Sequence, residues 1–107
     1  MLERDLNRKV SALFKKMAPD LLAIKKDQGK HSMRAGIFDW ILCYKGKAIF
    51  IELKVNNNRM TPLQLLFQRE ARAAGGIAEE ARSINDVKKI LERVDELRID
   101  GSSKKSP

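Results

Sequence analysis

The stretch that decides the fold is Gly36-Ile-Phe-Asp-Trp-Ile-Leu-Cys-Tyr44, followed by Lys45-Gly46 and Lys47-Ala-Ile-Phe-Ile-Glu-Leu-Lys-Val55. Two apolar runs separated by a short Lys-Gly step predict two antiparallel strands joined by a tight hairpin. If Tyr44 faces Lys47, the same register places Asp39 directly opposite Glu52.

Two carboxylates that face each other across a strand pair are an unfavourable arrangement that requires an explanation. Like charges in this position are destabilising, because their Cβ atoms lie only about 5 Å apart. A hard divalent cation, Mg²⁺ or Mn²⁺, favours such an oxygen-only environment and keeps several waters that a substrate phosphate can replace. Lys54 lies on the same face as Glu52, because side chains alternate along a strand. The alternative is that Asp39 is solvated, Glu52 pairs with Lys54 or an arginine, and no metal binds.

The composition predicts one basic domain. A chain of 107 residues with 43% hydrophobic content can bury one modest core, and we expect a domain over residues 1–100 followed by a disordered polar tail over 101–107. The net charge of +8 favours a polyanionic partner, nucleic acid, over plain solubility as its explanation. A membrane partner is not expected, since no long apolar run carries interfacial aromatics.

The single cysteine, Cys43, cannot form an internal disulfide. It lies within an apolar strand, so we predict a small buried side chain. The N-terminus alternates charged and apolar residues, unlike a signal peptide, which favours a reducing cytoplasm. The sequence contains no P-loop and no paired CxxC motif.

Helices are predicted on both faces of the sheet. The first helix carries apolar residues at three- and four-residue steps from Leu2 and ends near Pro19. Strands are predicted at residues 21–25, 37–44, 48–55 and 77–82, and a last helix starts at Ser83. Because Ile49-Phe-Ile51 is apolar on both faces, helices should cover both sides of the sheet, which is an α/β architecture.

A further helix is predicted to begin at Thr61, with Pro62 at its first position and Gln64 three residues beyond the cap. Its buried stripe is predicted to include Leu63, Leu66, Phe67, Ala71 and Ala74. Gln64 has two open roles: a capping-box partner of Thr61, or a site residue that orients water or phosphate. Gln68, one turn later, would line the same flank.

Glu3 falls within the apolar stripe of the first helix, so it is a candidate third acidic site residue. The alternative is a solvated carboxylate favoured by the helix dipole. Of the basic loop residues, His31 is a candidate phosphate contact, although a lone loop histidine is more often simply exposed.

These residues together resemble a known family. The matching succession is Gly36-Ile-Phe-Asp39, Ile51-Glu-Leu-Lys54, Leu63-Gln64 entering a helix, Gly75-Gly-Ile77 and Arg82-Ser-Ile-Asn-Asp-Val87. It resembles the virus-type replication-repair nuclease (VRR-NUC) domain of the PD-(D/E)xK nuclease superfamily, from the first helix to about Leu97. The resemblance implies an αβββαβ core with a mixed central sheet flanked by helices, plus a C-terminal helix. Two features depart from it: Phe38 replaces the proline usual before the aspartate, and Glu79 and Glu80 make the last strand unusually acidic.

The resemblance also implies roles for individual residues. Asp39 and Glu52 would be metal ligands, joined by the backbone carbonyl of Leu53 and by Glu3 as the acidic residue of the first helix. Lys54 would position and activate the nucleophilic water, with Gln64 as the glutamine that follows it. The catalytic set is therefore Asp39, Glu52, Lys54 and Gln64. The nucleic-acid-binding candidates are Lys26, Lys30, His31, Arg34, Arg59 and Gln68.

The function that the resemblance implies is a Mg²⁺- or Mn²⁺-dependent DNA endonuclease that needs no organic cofactor. Small phage members of the family are of similar size, which implies a homodimer that cuts branched DNA, such as four-way (Holliday) junctions, in DNA repair inside a bacterial or phage-infected cell. Two alternatives stay open: a noncatalytic basic nucleic-acid-binding module, and an interaction protein whose last helix docks a partner.

Overall fold

The structure is a computed structural model that describes residues 1–26 and 34–97. Three helices and four strands follow one another along the chain. In order they are α1 (Glu3–Met17), β1 (Leu21–Lys25), β2 (Trp40–Tyr44), β3 (Lys47–Leu53), α2 (Pro62–Ala73), β4 (Ile77–Ala81) and α3 (Ile84–Leu97). None of the helices within these residues has the length and apolarity needed to cross a bilayer.

The four strands form one mixed sheet in the order β1-β2-β3-β4. β1 and β2 are antiparallel, β2 and β3 are antiparallel, and β3 and β4 are parallel. The predicted hairpin register is confirmed, since Tyr44 pairs with Lys47 and Trp40 with Ile51. Lys45 and Gly46 both have positive φ, 53° and 79°, the backbone that matches the twist of a two-residue hairpin. The parallel pair requires a crossover, and α2 supplies it.

Helices cover both faces of the sheet, as predicted. On one face α1 and α3 pack with Trp40 and Ile51 in the larger apolar core. On the other face α2 packs through Phe67 against Phe38, in a smaller core that also contains Ala71 and Ala78. Successive residues of β3 alternate between the two cores. The α/β fold class with a mixed central sheet is confirmed.

The orientation of α2 differs from the prediction. Phe67 and Ala71 are buried, but Leu63 and Leu66 are 53% and 38% exposed, and Ala74 is exposed as well. Gln64 takes the inward position in the first turn. α2 is therefore rotated about its axis relative to the predicted orientation, because the side-chain amide of Gln64, rather than a leucine, faces the sheet.

Cys43 was predicted to be buried, and this is wrong. It is exposed, paired across the sheet with Leu22, which is also exposed. Both side chains point to the side of the sheet where α2 lies, but α2 packs over β3 and β4 and leaves this part of the face uncovered among the described residues.

The hairpin tip is tied to α3. The Tyr44 hydroxyl donates to Asp95 Oδ1 at 2.9 Å, and Lys45 Nζ lies 2.6 Å from the same oxygen. The hydrogen bond from Lys45 holds the pKa of Asp95 below its ordinary value. These contacts fix the hairpin against the helix that covers it.

Candidate active site

Three polar side chains are buried within the described residues: Asp39, Glu52 and Gln64, at 3%, 3% and 9% exposure. Buried polar groups need hydrogen-bond partners, and buried charges need more than that. All three belong to the catalytic set that the sequence predicts. They lie together where β2 begins, β3 ends and α2 starts.

The two carboxylates are held by each other's strand. Glu52 Oε1 accepts from the backbone N–H of Asp39 at 3.1 Å. Asp39 Oδ2 accepts from the backbone N–H of Leu53 at 2.9 Å. The register that the sequence predicts therefore does bring the acidic pair together.

Gln64 fills both of the roles that its sequence position leaves open. Its backbone N–H donates to Thr61 Oγ1 at 3.2 Å, and its Oε1 accepts from the Thr61 backbone N–H at 2.9 Å. Its Nε2 donates to Glu52 Oε2 at 3.0 Å. Because the capping box occupies the amide oxygen, the amide nitrogen must be the group that faces Glu52.

Lys54 completes the cluster from the end of β3. Its Nζ lies 3.3 Å from Glu52 Oε2, and its side chain is 13% exposed. Burial, and then the charge of Asp39, raise the pKa of Glu52 above its ordinary value, while Lys54 and Lys26 oppose this rise. The two carboxylates thus repel each other more than the two lysines offset, and an added cation would relieve this repulsion.

The donor set fits a hard divalent cation. Both oxygens of Glu52 and Oδ2 of Asp39 accept hydrogen bonds, whereas no group within residues 1–26 and 34–97 donates to Asp39 Oδ1. No set of three or more His, Cys, Asp or Glu side chains in that part of the chain can hold a metal. Mg²⁺ commonly binds one or two carboxylates and completes its shell with water and substrate phosphate. The acidic pair meets that requirement.

Glu3 is half-buried in the first turn of α1. Within residues 1–26 and 34–97 no third acidic, His or Cys side chain joins Asp39 and Glu52 in a group that could hold a metal. The role of Glu3 as a further ligand therefore stays a prediction. The Leu53 carbonyl directly follows Glu52, and its part in metal binding stays a prediction.

The basic candidates lie in different places. The Lys26 backbone N–H donates to the Asp39 carbonyl at 2.7 Å, which places Lys26 at the edge of the site. Lys30 and His31 lie outside the described residues. Arg59 is exposed in the connection that leads from β3 to α2.

Two of the candidates are engaged elsewhere. Arg34 forms an ion pair with Glu70 and stands over the Phe67 ring at 5.2 Å. The Gln68 amide donates to the Ala78 carbonyl at 3.1 Å, at the outer edge of β4, rather than to a carboxylate. Contacts to nucleic acid by both residues stay predictions.

Arg82 has a role that sequence reasoning missed. Its guanidinium donates to the carbonyl of Asn56 at 2.9 Å, to the carbonyl of Asn58, and to Glu80 Oε2 at 2.6 Å. It thereby fixes the connection between Lys54 and Gln64. Glu80 is the register partner of Glu52, so the unexpected acidity of β4 is balanced by this arginine. No local sequence signal gives this role, because the parallel pairing that creates it is a property of the fold.

Comparison with known proteins supports the architecture. A solved structure described as a VRR_NUC domain superposes with a TM-score of 0.67 at 23% identity, covering 84% of this chain and 94% of that chain. The chain has the VRR-NUC fold. No protein-family model matches the sequence, and no curated protein does. The superposition on the solved VRR_NUC structure confirms the VRR-NUC architecture that the sequence predicts.

Proposed function

We propose that this chain is a divalent-metal-dependent nuclease that hydrolyses DNA phosphodiesters. The proposal depends on one observation, the buried pair of Asp39 and Glu52 with Lys54 beside it, in a chain with the VRR-NUC fold. Burying two like charges together is costly, and the contacts that hold them are directed by both strands and by α2. An arrangement kept at this cost is suited to binding a cation.

The acidic pair would hold the metal. Asp39 Oδ1, which accepts no hydrogen bond from residues 1–26 and 34–97, offers a lone pair, and Glu52 offers oxygens now shared with Lys54 and Gln64. When bound, Mg²⁺ or Mn²⁺ supplies Lewis acidity to the scissile phosphate and makes a nearby water more acidic. The backbone N–H groups of Leu53 and Asp39 hold both carboxylates in place and limit the reorganisation that binding requires.

Lys54 and Gln64 would act on the reacting groups. Lys54 Nζ, next to Glu52, donates a hydrogen bond to the attacking water and offsets the negative charge that builds up on the phosphate oxygens. Gln64 keeps Glu52 oriented through its amide nitrogen. The water loses one proton to solvent as its oxygen forms a bond to phosphorus, the bond from phosphorus to the 3′-oxygen breaks, and that oxygen takes up a proton from solvent. The products then carry 5′-phosphate and 3′-hydroxyl ends.

The preferred substrate in this proposal is branched DNA, such as a four-way junction, cut by a homodimer. A two-fold dimer matches the symmetry of a junction and would place one active site on each of two strands. The net charge of +8 supports binding to phosphates, and so small a domain offers few side chains to read base edges. The cytoplasm of a bacterial or phage-infected cell remains the predicted compartment.

The test is a cleavage assay on labelled duplex, flap and four-way-junction DNA with Mg²⁺, Mn²⁺ or EDTA. Asp39→Ala and Lys54→Ala should abolish cleavage, and Lys54→Ala should keep most DNA binding. Asp20→Ala, which removes an exposed acid, is the matched control and should cleave normally. Undiminished cleavage by Asp39→Ala would refute the site. Salt-sensitive binding without cleavage in either metal would instead indicate a noncatalytic binding module.

A further inference from the structure

A cavity of about 560 Å³ is lined by the connection between β3 and α2 together with residues of α2 and β4 that neighbour the acidic site. Two of its lining residues locate it: Leu65 directly follows Gln64, and Glu80 is the register partner of Glu52 on β4. The volume falls within the range typical of small-molecule sites. A group held in this cavity would therefore lie next to a phosphate bound by Asp39 and Glu52.

The lining of this cavity matches the chemistry of a nucleotide. Met60 and Leu65 supply apolar surface, and the side-chain amides of Asn56 and Asn57 supply donors and acceptors. Arg59 supplies a guanidinium that has no ion-pair partner among residues 1–26 and 34–97. A nucleotide has a base with an apolar face and a polar edge, and it carries a phosphate, so these groups complement all three of its parts.

The solvent side of α2 next to the cavity is also unusually apolar. Leu65 is 45% exposed and Leu66 is 38% exposed, whereas the outward face of a surface helix is normally polar. Arg69, one turn further along, has no ion-pair partner within the described part of the chain. An apolar surface flanked by Arg59 and Arg69, which form no ion pair with the described residues, suits unstacked bases attached to a charged backbone.

A second copy of the chain is a poorer occupant for this surface. The partly exposed leucines of α2 offer a few hundred Å² at most, well below the roughly 800 Å² per partner of a standard stable interface. Arg59 and Arg69 of each copy would also face each other across a symmetric contact.

We propose that this cavity takes up one unpaired nucleotide of the DNA substrate, adjacent to the phosphate that is cut. The inference rests on the proposed nuclease function and adds that, among branched DNAs, the same site favours those that present an unpaired base, such as a flap. A paired base is held in its stack, and extruding it costs a few kcal/mol, whereas an unpaired base at a branch or flap pays the least. The cavity thus recognises DNA structure and not sequence.

The experiment measures DNA binding in EDTA, so that cleavage does not interfere. Fluorescence anisotropy gives the Kd for a perfect duplex and for a flap of equal length, and 2-aminopurine at the first unpaired position reports unstacking. Leu65→Ser and Asn57→Ala should each weaken flap binding about tenfold, leave duplex binding within about twofold, and abolish the rise in 2-aminopurine emission. Leu22→Ser, at an exposed leucine on β1, is the matched control and should change neither.

An equal loss of duplex and flap binding would overturn the inference, and so would no loss in either variant. A fall in molecular mass on sedimentation of Leu65→Ser would also overturn it and assign the surface to a chain–chain contact. Cleavage in Mg²⁺ is measured in parallel. Structure-selective binding without cleavage would contradict the proposed function but support this inference. Cleavage that is equally fast and equally flap-selective in wild type, Leu65→Ser and Asn57→Ala would support the proposed function but contradict this inference.

Discussion

Replacing Asp39 by Asn should make the metal-free protein more stable while destroying its function. The asparagine oxygen can still accept from the Leu53 backbone N–H, which Asp39 Oδ2 now does at 2.9 Å. The substitution removes one charge from a like-charged pair, which costs up to about 1 kcal/mol in cross-strand positions. We expect the free energy of unfolding in EDTA to rise by about 0.5–1 kcal/mol, with an increase of several degrees in Tm.

The metal should reverse this order. Wild-type protein gains about 1.4 kcal/mol when the free cation is at ten times its Kd, whereas Asp39→Asn lacks a charged ligand and should gain little. The wild type is then the more stable of the two in Mg²⁺ or Mn²⁺. Such a reversal in the order of the two unfolding free energies is expected if the acidic pair binds the cation, and it is not expected if the pair has no ligand.

The pH dependence follows from Glu52. Its pKa in the folded state lies above its ordinary value of 4.5, first because of burial and then because of Asp39. The stability linked to this group is fully present below that ordinary value and is lost as the pH rises through the folded pKa. The advantage of Asp39→Asn in EDTA should therefore be largest near neutral pH and should shrink towards acid.

Urea unfolding of both proteins, in EDTA and in Mg²⁺ and at several pH values, measures these effects. Asp20→Asn, at an exposed acid, serves as the control and should behave as wild type throughout. A less stable Asp39→Asn in EDTA would show that the pair is not repulsive. Equal stabilisation of both proteins by the metal would place the cation elsewhere.

Four further substitutions, in two matched pairs, test how the site is positioned. Thr61→Ala removes the side-chain cap and should cost about 1 kcal/mol of unfolding free energy. Gln64→Ala keeps the backbone N–H that Thr61 caps but removes the reciprocal bond to the Thr61 N–H and the buried bond to Glu52, so it should cost about 2 kcal/mol and reduce cleavage more than tenfold. Equal effects of the two on cleavage would argue against a site role for Gln64. Gly36 has φ +85°, and a Cβ added there would overlap the α2 backbone. Gly36→Ala should therefore lower the free energy of unfolding by about 2–3 kcal/mol. It should also impair cleavage, because it moves the chain that leads to Asp39. Gly75 has φ +96° but open space around it, so Gly75→Ala should lower the free energy of unfolding by only about 1 kcal/mol and cleave normally. Equal losses of stability for the two glycine variants in urea unfolding would contradict the argument.

The hairpin and its acidic pair were predictable because they depend on local rules. The Lys45-Gly46 step fixes the turn, the turn fixes the register, and the register places Asp39 opposite Glu52. The capping box at Thr61 was predictable for the same reason.

The positions that sequence patterns leave open are those that only tertiary packing decides. Periodicity makes Glu3 a candidate ligand but does not say which face of the sheet its helix covers, so its role stays a prediction. Cys43 was expected to be buried, but its exposure depends on how far α2 extends over the sheet. The exposed Leu63 shows the same effect, because the inward turn of α2 is taken by Gln64 and its bond to Glu52.

The most direct test of a metal centre at the acidic pair is anomalous scattering from a crystal of the wild-type protein grown with Mn²⁺. We predict one strong peak bonded to carboxylate oxygens of Asp39 and Glu52, about 2.1–2.2 Å from each, and no such peak in Asp39→Asn. A map in which manganese binds elsewhere, while both carboxylates keep only their contacts to backbone, Gln64 and Lys54, would contradict the account.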